Sequence, residues 1–92
     1  MKYIVSWTFP TGTYQAAVDR FLKTGGMPPA PAKMLGRWHG LADRGFALVQ
    51  SKDPAAVFAW AAQWADVIQI QVTPVIEDGP AAKALRANRR AS

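Results

Sequence analysis

Strand-like and helix-like patterns alternate along this chain in an order that few small folds accept. A strand is predicted at residues 2–9, where β-branched and aromatic side chains run as far as a proline. Residues 14–22 predict a helix, because apolar side chains recur three and four positions apart. They are Tyr14, Ala17, Val18, Phe21 and Leu22. Three prolines and two glycines exclude regular structure at residues 25–31.

The second half of the chain predicts two more strands, a helix and a final strand. Residues 33–50 predict a β-hairpin. Asp53 and Pro54 predict the start of the second helix, as an acidic N-cap followed by a proline at the first helical position. Residues 67–76 predict the last strand, and Pro74 places it at a sheet edge because proline cannot donate to a ladder.

The resulting order, β-α-β-β-α-β, predicts an α+β chain with the ferredoxin-like plan. In that plan a four-stranded antiparallel sheet carries two helices on one face. Residues 1–78 are predicted to form this single domain. Residues 79–92 are predicted to be a basic C-terminal tail with a short helix over residues 81–88.

The first predicted strand carries apolar side chains on both of its faces. Tyr3, Val5 and Trp7 share one face, and Ile4 lies on the other. Because the helices cover only one face of such a sheet, an apolar face would remain exposed. The simplest cover is a second copy of the sheet related by a two-fold axis, so we predict a homodimer.

Composition excludes several kinds of functional site. The chain has no cysteine and one histidine, which excludes disulfides, thiolate chemistry and multi-histidine metal centres. The sequence contains no phosphate-binding glycine loop, no serine-nucleophile elbow and no paired-histidine motif. We accordingly predict no metal site and no cofactor.

The net charge of +5 points to nucleic acid only until the charges are located. Residues 1–78 hold seven basic and six acidic side chains, which is near neutral. The excess lies at Lys83, Arg86, Arg89 and Arg90, and basic tails of this kind are usually solvated. Nucleic acid is therefore not the expected partner. The sequence predicts no membrane span and no signal peptide, which favours the cytoplasm.

The densest polar and aromatic cluster is Arg-Trp-His-Gly at residues 37–40, just after Gly36, which predicts a bulge or a close approach by another group. A guanidinium beside an imidazole suits an anionic or aromatic ligand, and His39 is the candidate catalytic base. The alternative interpretation places His39 at a strand end in solvent and Arg37 along a sheet edge. The candidate ligand-binding side chains are Arg37, Trp38, Trp7 and Phe46.

Five short runs resemble a family of short bacterial proteins described as a domain of unknown function. They are MKYIVSW at residues 1–7, LGRWHG at 35–40, GFALV at 45–49, DPAA at 53–56 and VTPV at 72–75. The resemblance extends to about Asp78 and leaves the basic tail outside. This family is similar in plan to the dimeric α/β-barrel superfamily, which includes cofactor-independent monooxygenases, lactone isomerases and haem-associated enzymes. The resemblance implies a dimer with a small-molecule cavity between sheet and helices, but it transfers no catalytic residue.

Two functional classes stay open at this point. In the first, the protein is a homodimer that binds a small, partly apolar molecule, with cofactor-independent oxygenation or isomerisation as the reaction if one takes place. In the second, it is a non-catalytic interaction or structural module whose apolar surface is only a contact between proteins.

Overall fold

A computed structural model describes residues 1–91, with side chains described for residues 1–90. Its elements are β1 (Lys2–Thr8), α1 (Tyr14–Thr24), β2 (Lys33–His39), β3 (Arg44–Gln50), α2 (Pro54–Trp64), β4 (Gln69–Val75) and α3 (Asp78–Ala91). The strands form one antiparallel sheet in the order β2-β3-β1-β4. The predicted α+β class and four-stranded antiparallel sheet are confirmed. The third helix, α3, lies in the predicted tail and is longer than the helix predicted there over residues 81–88.

Each of the first two helices is limited by a residue that suits that end of a helix. Gly25 follows α1 in the left-handed conformation, with φ of 79°, and its N–H donates to the Phe21 carbonyl at 2.8 Å. Asp53 precedes α2, and its side chain accepts from the backbone N–H of Ala55 at 3.0 Å, with Pro54 in the first turn. Pro74 lies in β4, an edge strand, as its missing N–H requires.

The core lies on one face of the sheet. Alternate residues of the two central strands point into it, and α2 covers them. The buried members are Tyr3, Val5, Ala47, Val49, Val57 and Trp60, joined by Ala32 and Ala56. A second buried cluster of Ala17, Val67 and Ile68 joins α1 to the start of β4. Burial of these side chains fixes which face of each strand meets the helices, and thereby which face carries a site.

A bulge in β2 changes which of its side chains share a face. Simple alternation would put Met34 with Gly36 and Trp38, but the register with β3 shifts between Met34 and Gly36. Met34 is therefore opposite Val49 and packs against the core. The extra residue is Leu35, which is exposed. Beyond the bulge, alternation resumes, so that residues 37 and 39 face the helices and residue 38 faces away.

Helix α3 extends away from the sheet. Its half-buried residues are Ala81 and Ala82, and residues 83–90 are all exposed. The chain accordingly measures 52 × 27 × 19 Å, with a radius of gyration of 15.8 Å. A compact domain of this length would have a radius of gyration of about 12 Å.

Arg20 ties α1 to the turn that follows α2. Its guanidinium donates to both carboxylate oxygens of Asp66, at 2.8 and 2.7 Å, and to the carbonyl of Gln63 at 2.8 Å. It also lies 5.4 Å from the centre of the Trp64 ring. The hydrogen bonds from Arg20 lower the pKa of Asp66, because they favour the ionised carboxylate.

Replacing Arg20 with glutamine should therefore raise the pKa of Asp66 towards its ordinary value. The pKa of Asp66 is lower in the folded protein than in the unfolded chain, so the pair stabilises the fold fully at pH above the unfolded-state pKa. This stabilisation is lost as pH falls through the folded-state pKa. A carbon-13 titration of the side-chain carboxyl groups measures the pKa of Asp66 in the parent protein and in the Arg20→Gln variant. Glu77 is the internal control, since its lowered pKa depends on Lys2 and should not move. An unshifted Asp66 in the parent protein would contradict this account.

Candidate functional site

A cavity of about 130 Å³ lies between the helix-facing side of the sheet and the helices α1 and α2. Strands β1, β2 and β4 form its floor, and the two helices form its walls. Its aromatic lining consists of Trp7, Phe9, Tyr14, Phe21, Trp60 and Trp64. Its aliphatic lining includes Val5, Ala17, Val18, Ile68 and Ile70. The interior is therefore mainly apolar, as small-molecule sites usually are.

Trp7 lies on the floor of this cavity because of the residue opposite it. Trp7 in β1 pairs with Gly45 in β3. A Cβ atom built on Gly45 would lie 2.7 Å from the Trp7 Nε1 atom and nearer still to two carbons of the same ring. The missing side chain at residue 45 thus leaves the space that the Trp7 indole fills against the sheet.

Arg37 connects β2 to the end of α1. Its two terminal nitrogens donate to the carbonyls of Gly26 and Gly25, at 2.8 and 2.9 Å. Its guanidinium lies 4.8 Å from the centre of the Phe21 ring. Partial burial lowers the pKa of Arg37, because desolvation disfavours the charged form. Arg37 thus has a structural role, in addition to lining the cavity.

His39 lies at the mouth of the cavity and is exposed. Its ring centre is 5.3 Å from that of Phe21 and 6.4 Å from that of Trp7. Within the described part of the chain, no hydrogen bond or ion pair is recorded for its imidazole. The ring is held between aromatic neighbours with both nitrogens open to a ligand or to water.

Trp60 lines the cavity and carries a buried polar atom without a partner. The residue is 6% exposed, and its Nε1 is the buried side-chain polar atom that lacks a hydrogen-bond partner among the described residues. A buried donor without a partner costs about 1–3 kcal/mol. Its indole lines the cavity. Because Nε1 has almost no accessible surface of its own, this donor does not face the cavity directly.

The structure brings together three of the five predicted site residues. Arg37, His39 and Trp7 all line the cavity, whereas Trp38 and Phe46 lie opposite each other on the other face of the sheet. Alternation along β2 and β3 is the physical reason, since neighbours of helix-facing residues must face away. Trp38 and Phe46 therefore lie outside this cavity. Their places are taken by Phe21, Trp60 and Trp64.

Trp60 and Trp64 are four residues apart on α2, which is ordinary spacing for core residues. Trp60 does belong to the buried cluster and Trp64 packs against it. Both also line the cavity, and spacing along a helix cannot show which part of a buried stripe faces a space. Phe21 had a signal of the same kind, as a member of the apolar face of α1.

The described residues hold neither a cluster of metal-ligating side chains nor a helix that could span a membrane. Residues 1–91 contain no group of three histidine, cysteine, aspartate or glutamate side chains placed to hold a metal ion. No helix among these residues is both long enough and apolar enough to cross a bilayer.

Comparison with known proteins gives one match. The family model for DUF3303, a domain of unknown function, matches residues 1–89. The match extends well beyond Asp78, where the resemblance was expected to end, and includes most of α3. Neither the curated proteins nor the solved structures contain a significant match.

Proposed function

The chain belongs to the DUF3303 family, and on that premise we propose that it binds a small, partly apolar molecule in the cavity between the sheet and helices α1 and α2. The observation that carries this proposal is an aromatic cavity whose mouth holds Arg37 and His39. The strand order β2-β3-β1-β4 with its two crossing helices supports a ferredoxin-like plan.

The size of the cavity limits the size of the molecule. At about 130 Å³ it is close to the roughly 150 Å³ apolar cavity that holds benzene in an engineered protein. A single ring fits such a space, with a polar substituent directed to the mouth.

Titration of nitrogen-15-labelled protein with benzyl alcohol tests the proposal. Amide shifts should change in a saturable way at residues around the cavity, such as Trp7, Phe21 and Trp64. The Ile70→Phe variant adds bulk at a half-buried lining position and should weaken binding at least about fivefold. Trp38→Ser on the opposite face is the control and should bind as the parent does. Shift changes confined to the Trp38 face would contradict the proposal.

Catalysis is a further part of the proposal, with His39 as the general base in a cofactor-independent oxygenation or isomerisation. Its exposed imidazole at the mouth supports this role. The described residues provide no carboxylate partner that would orient the ring. Binding is therefore the function that the geometry supports best. His39→Ala should weaken binding of a ligand that reaches the mouth, and equal affinity in variant and parent would remove His39 from the site.

The second copy predicted from the sequence is proposed to cover the other face of the sheet. Exposed apolar side chains lie there on β2 and β3, with Trp38 60% and Phe46 42% exposed. Half-buried Ile4 and Leu48 continue this surface towards β1. A two-fold axis through this patch would bring the same apolar side chains of both copies together.

The same patch also supports a second candidate function, a non-catalytic module that binds another protein. Native mass spectrometry of the purified protein distinguishes the homodimer from the interaction module. A mass of two chains supports the homodimer, and Trp38→Ser should then shift the population towards one chain. A single-chain mass for the parent protein would contradict the homodimer and favour the interaction module.

A further inference from the structure

We infer that the molecule bound in the cavity is a monocyclic aromatic carboxylate. This inference rests on the proposed function and narrows it to one chemical class. The observation behind it is the distribution of charge: Arg37, Arg44 and His39 line the cavity, and no aspartate or glutamate lines it among the described residues. An apolar interior with a cationic mouth selects a ring that carries negative charge.

The charge of Arg37 is not neutralised by the protein. Its recorded hydrogen bonds go to the neutral carbonyls of Gly25 and Gly26, and the structure records no ion pair for it. Burial is the cause of its pKa shift, with no compensating carboxylate. A half-buried guanidinium of this kind attracts an anion more strongly than a fully solvated one does, because the surrounding medium screens less.

Arg44 adds a second positive charge at the rim of the cavity, where β3 begins, since it lines both this cavity and the groove on the Phe46 face of the sheet. Its nearest carboxylate is that of Asp43, at 3.9 Å from Nε, and both side chains are well exposed. Such a contact is at the limit of an ion pair, and exposed pairs bind weakly. The Asp43 contact holds Arg44 only weakly, so its long side chain contributes positive charge near the mouth, where His39 lies as well.

A carboxylate suits this mouth better than other small polar groups. Guanidinium groups bind carboxylates through charge-assisted hydrogen bonds that are shorter and stronger than neutral ones. The ring of the same molecule would lie among Trp7, Phe21 and Trp64, which line the interior. Aromatic pairs of this kind favour edge-to-face or offset contacts. The two ends of the cavity thus match the two ends of a benzoate-like molecule.

The test compares benzoate with benzyl alcohol, its near-isosteric neutral counterpart. Dissociation constants for both are measured by nuclear magnetic resonance titration on the full chain, at 25 and 250 mM sodium chloride. Benzoate should bind about tenfold more tightly at low salt, and raising the salt should weaken benzoate alone, since only that complex depends on charge. Arg44→Gln should weaken benzoate about threefold and leave benzyl alcohol unchanged.

Lys33→Gln is the matched control. Lys33 is exposed at the opposite end of β2 from His39, so this variant removes one positive charge from the chain without touching the cavity. Benzoate affinity should be the same in this variant as in the parent. Equal losses of benzoate affinity in Lys33→Gln and Arg44→Gln would overturn the inference, because the effect would then come from net charge alone.

The two probes separate failure of the inference from failure of the proposed function. Equal affinities for benzoate and benzyl alcohol at the cavity would overturn the inference and leave the proposed function standing. Saturable binding of neither probe would overturn both. Tighter binding of benzoate that is reduced in Arg44→Gln and kept in Lys33→Gln supports both.

Discussion

Replacing Gly45 with alanine is expected to lower the free energy of unfolding by about 1–3 kcal/mol and to displace the Trp7 indole. The added Cβ would fall less than 3 Å from three atoms of that ring. Gly45 is buried, and Trp7 packs against both apolar clusters, so neither can move without disturbing its neighbours. For a domain of this length, the melting temperature should fall by roughly 5–20 °C.

Urea denaturation followed by far-ultraviolet circular dichroism measures this loss, and the tryptophan emission spectrum reports the movement of the ring. Gly36→Ala is an informative comparison, because its Cβ would meet the Trp38 ring at 2.5 Å. Trp38 is 60% exposed and can swing into solvent, so this second variant should lose less stability.

Two controls complete the experiment on Gly45. Gly79→Ala adds a methyl group where nothing lies within 4 Å, and it should leave stability unchanged or slightly raised. Trp7→Leu combined with Gly45→Ala should cost less than the sum of the single variants, because the shortened side chain leaves room for the methyl group. Additive losses would show that the Trp7 ring is not what excludes a side chain at residue 45.

Replacing Arg37 with alanine is expected to cost about 2–3 kcal/mol of unfolding free energy. A hydrogen bond from a charged donor contributes about 1.5–3 kcal/mol, and Arg37 makes two to the end of α1 while contacting the Phe21 ring. Without them the carbonyls of Gly25 and Gly26 lose their donors, and α1 loses its direct link to β2. The cavity should open at the same place, since Arg37 and Phe21 both line it.

The urea midpoint should fall with an unchanged slope if Arg37→Ala alters stability alone. Arg37→Lys keeps the charge but has one terminal nitrogen in place of two. Its urea midpoint should therefore lie between those of the parent and the alanine variant. Arg86→Ala on α3 removes an exposed arginine and should match the parent. A midpoint for Arg37→Ala equal to that of the parent would show that these hydrogen bonds do not hold α1 in place.

The elements of this fold could be predicted because their signals are local. Asp53, Pro54 and Gly25 each act on the backbone within a few residues, and their effects do not depend on the rest of the fold. Strand boundaries depend on pairing where the chain folds back on itself. The structure starts β3 at Arg44, because the Gly40 N–H donates to the Arg44 carbonyl and closes the hairpin early.

The site could be predicted only in part, because it depends on contacts between distant residues. The cluster at residues 37–40 contributes Arg37 and His39 to the cavity, and its tryptophan faces the other way. The bulge at Leu35 depends on pairing with β3, which no pattern within β2 reveals. The partners of Arg37 are backbone carbonyls, and every residue type carries a carbonyl, so the sequence holds no signal for them.

The projection of α3 from the body has a consequence for hydrogen exchange. Isolated helices shorter than about 12–15 residues are only marginally stable in water. Helix α3 has 14 residues, and all of residues 83–90 are exposed. Its amides should therefore exchange through local fraying, many times faster than those of β1, which is paired with β3 on one side and β4 on the other. Opening of β1 requires both ladders to break, so its slowest amides report the global unfolding of the sheet. The chain thus divides into a protected sheet that carries the cavity and a helical arm that unfolds without disturbing it.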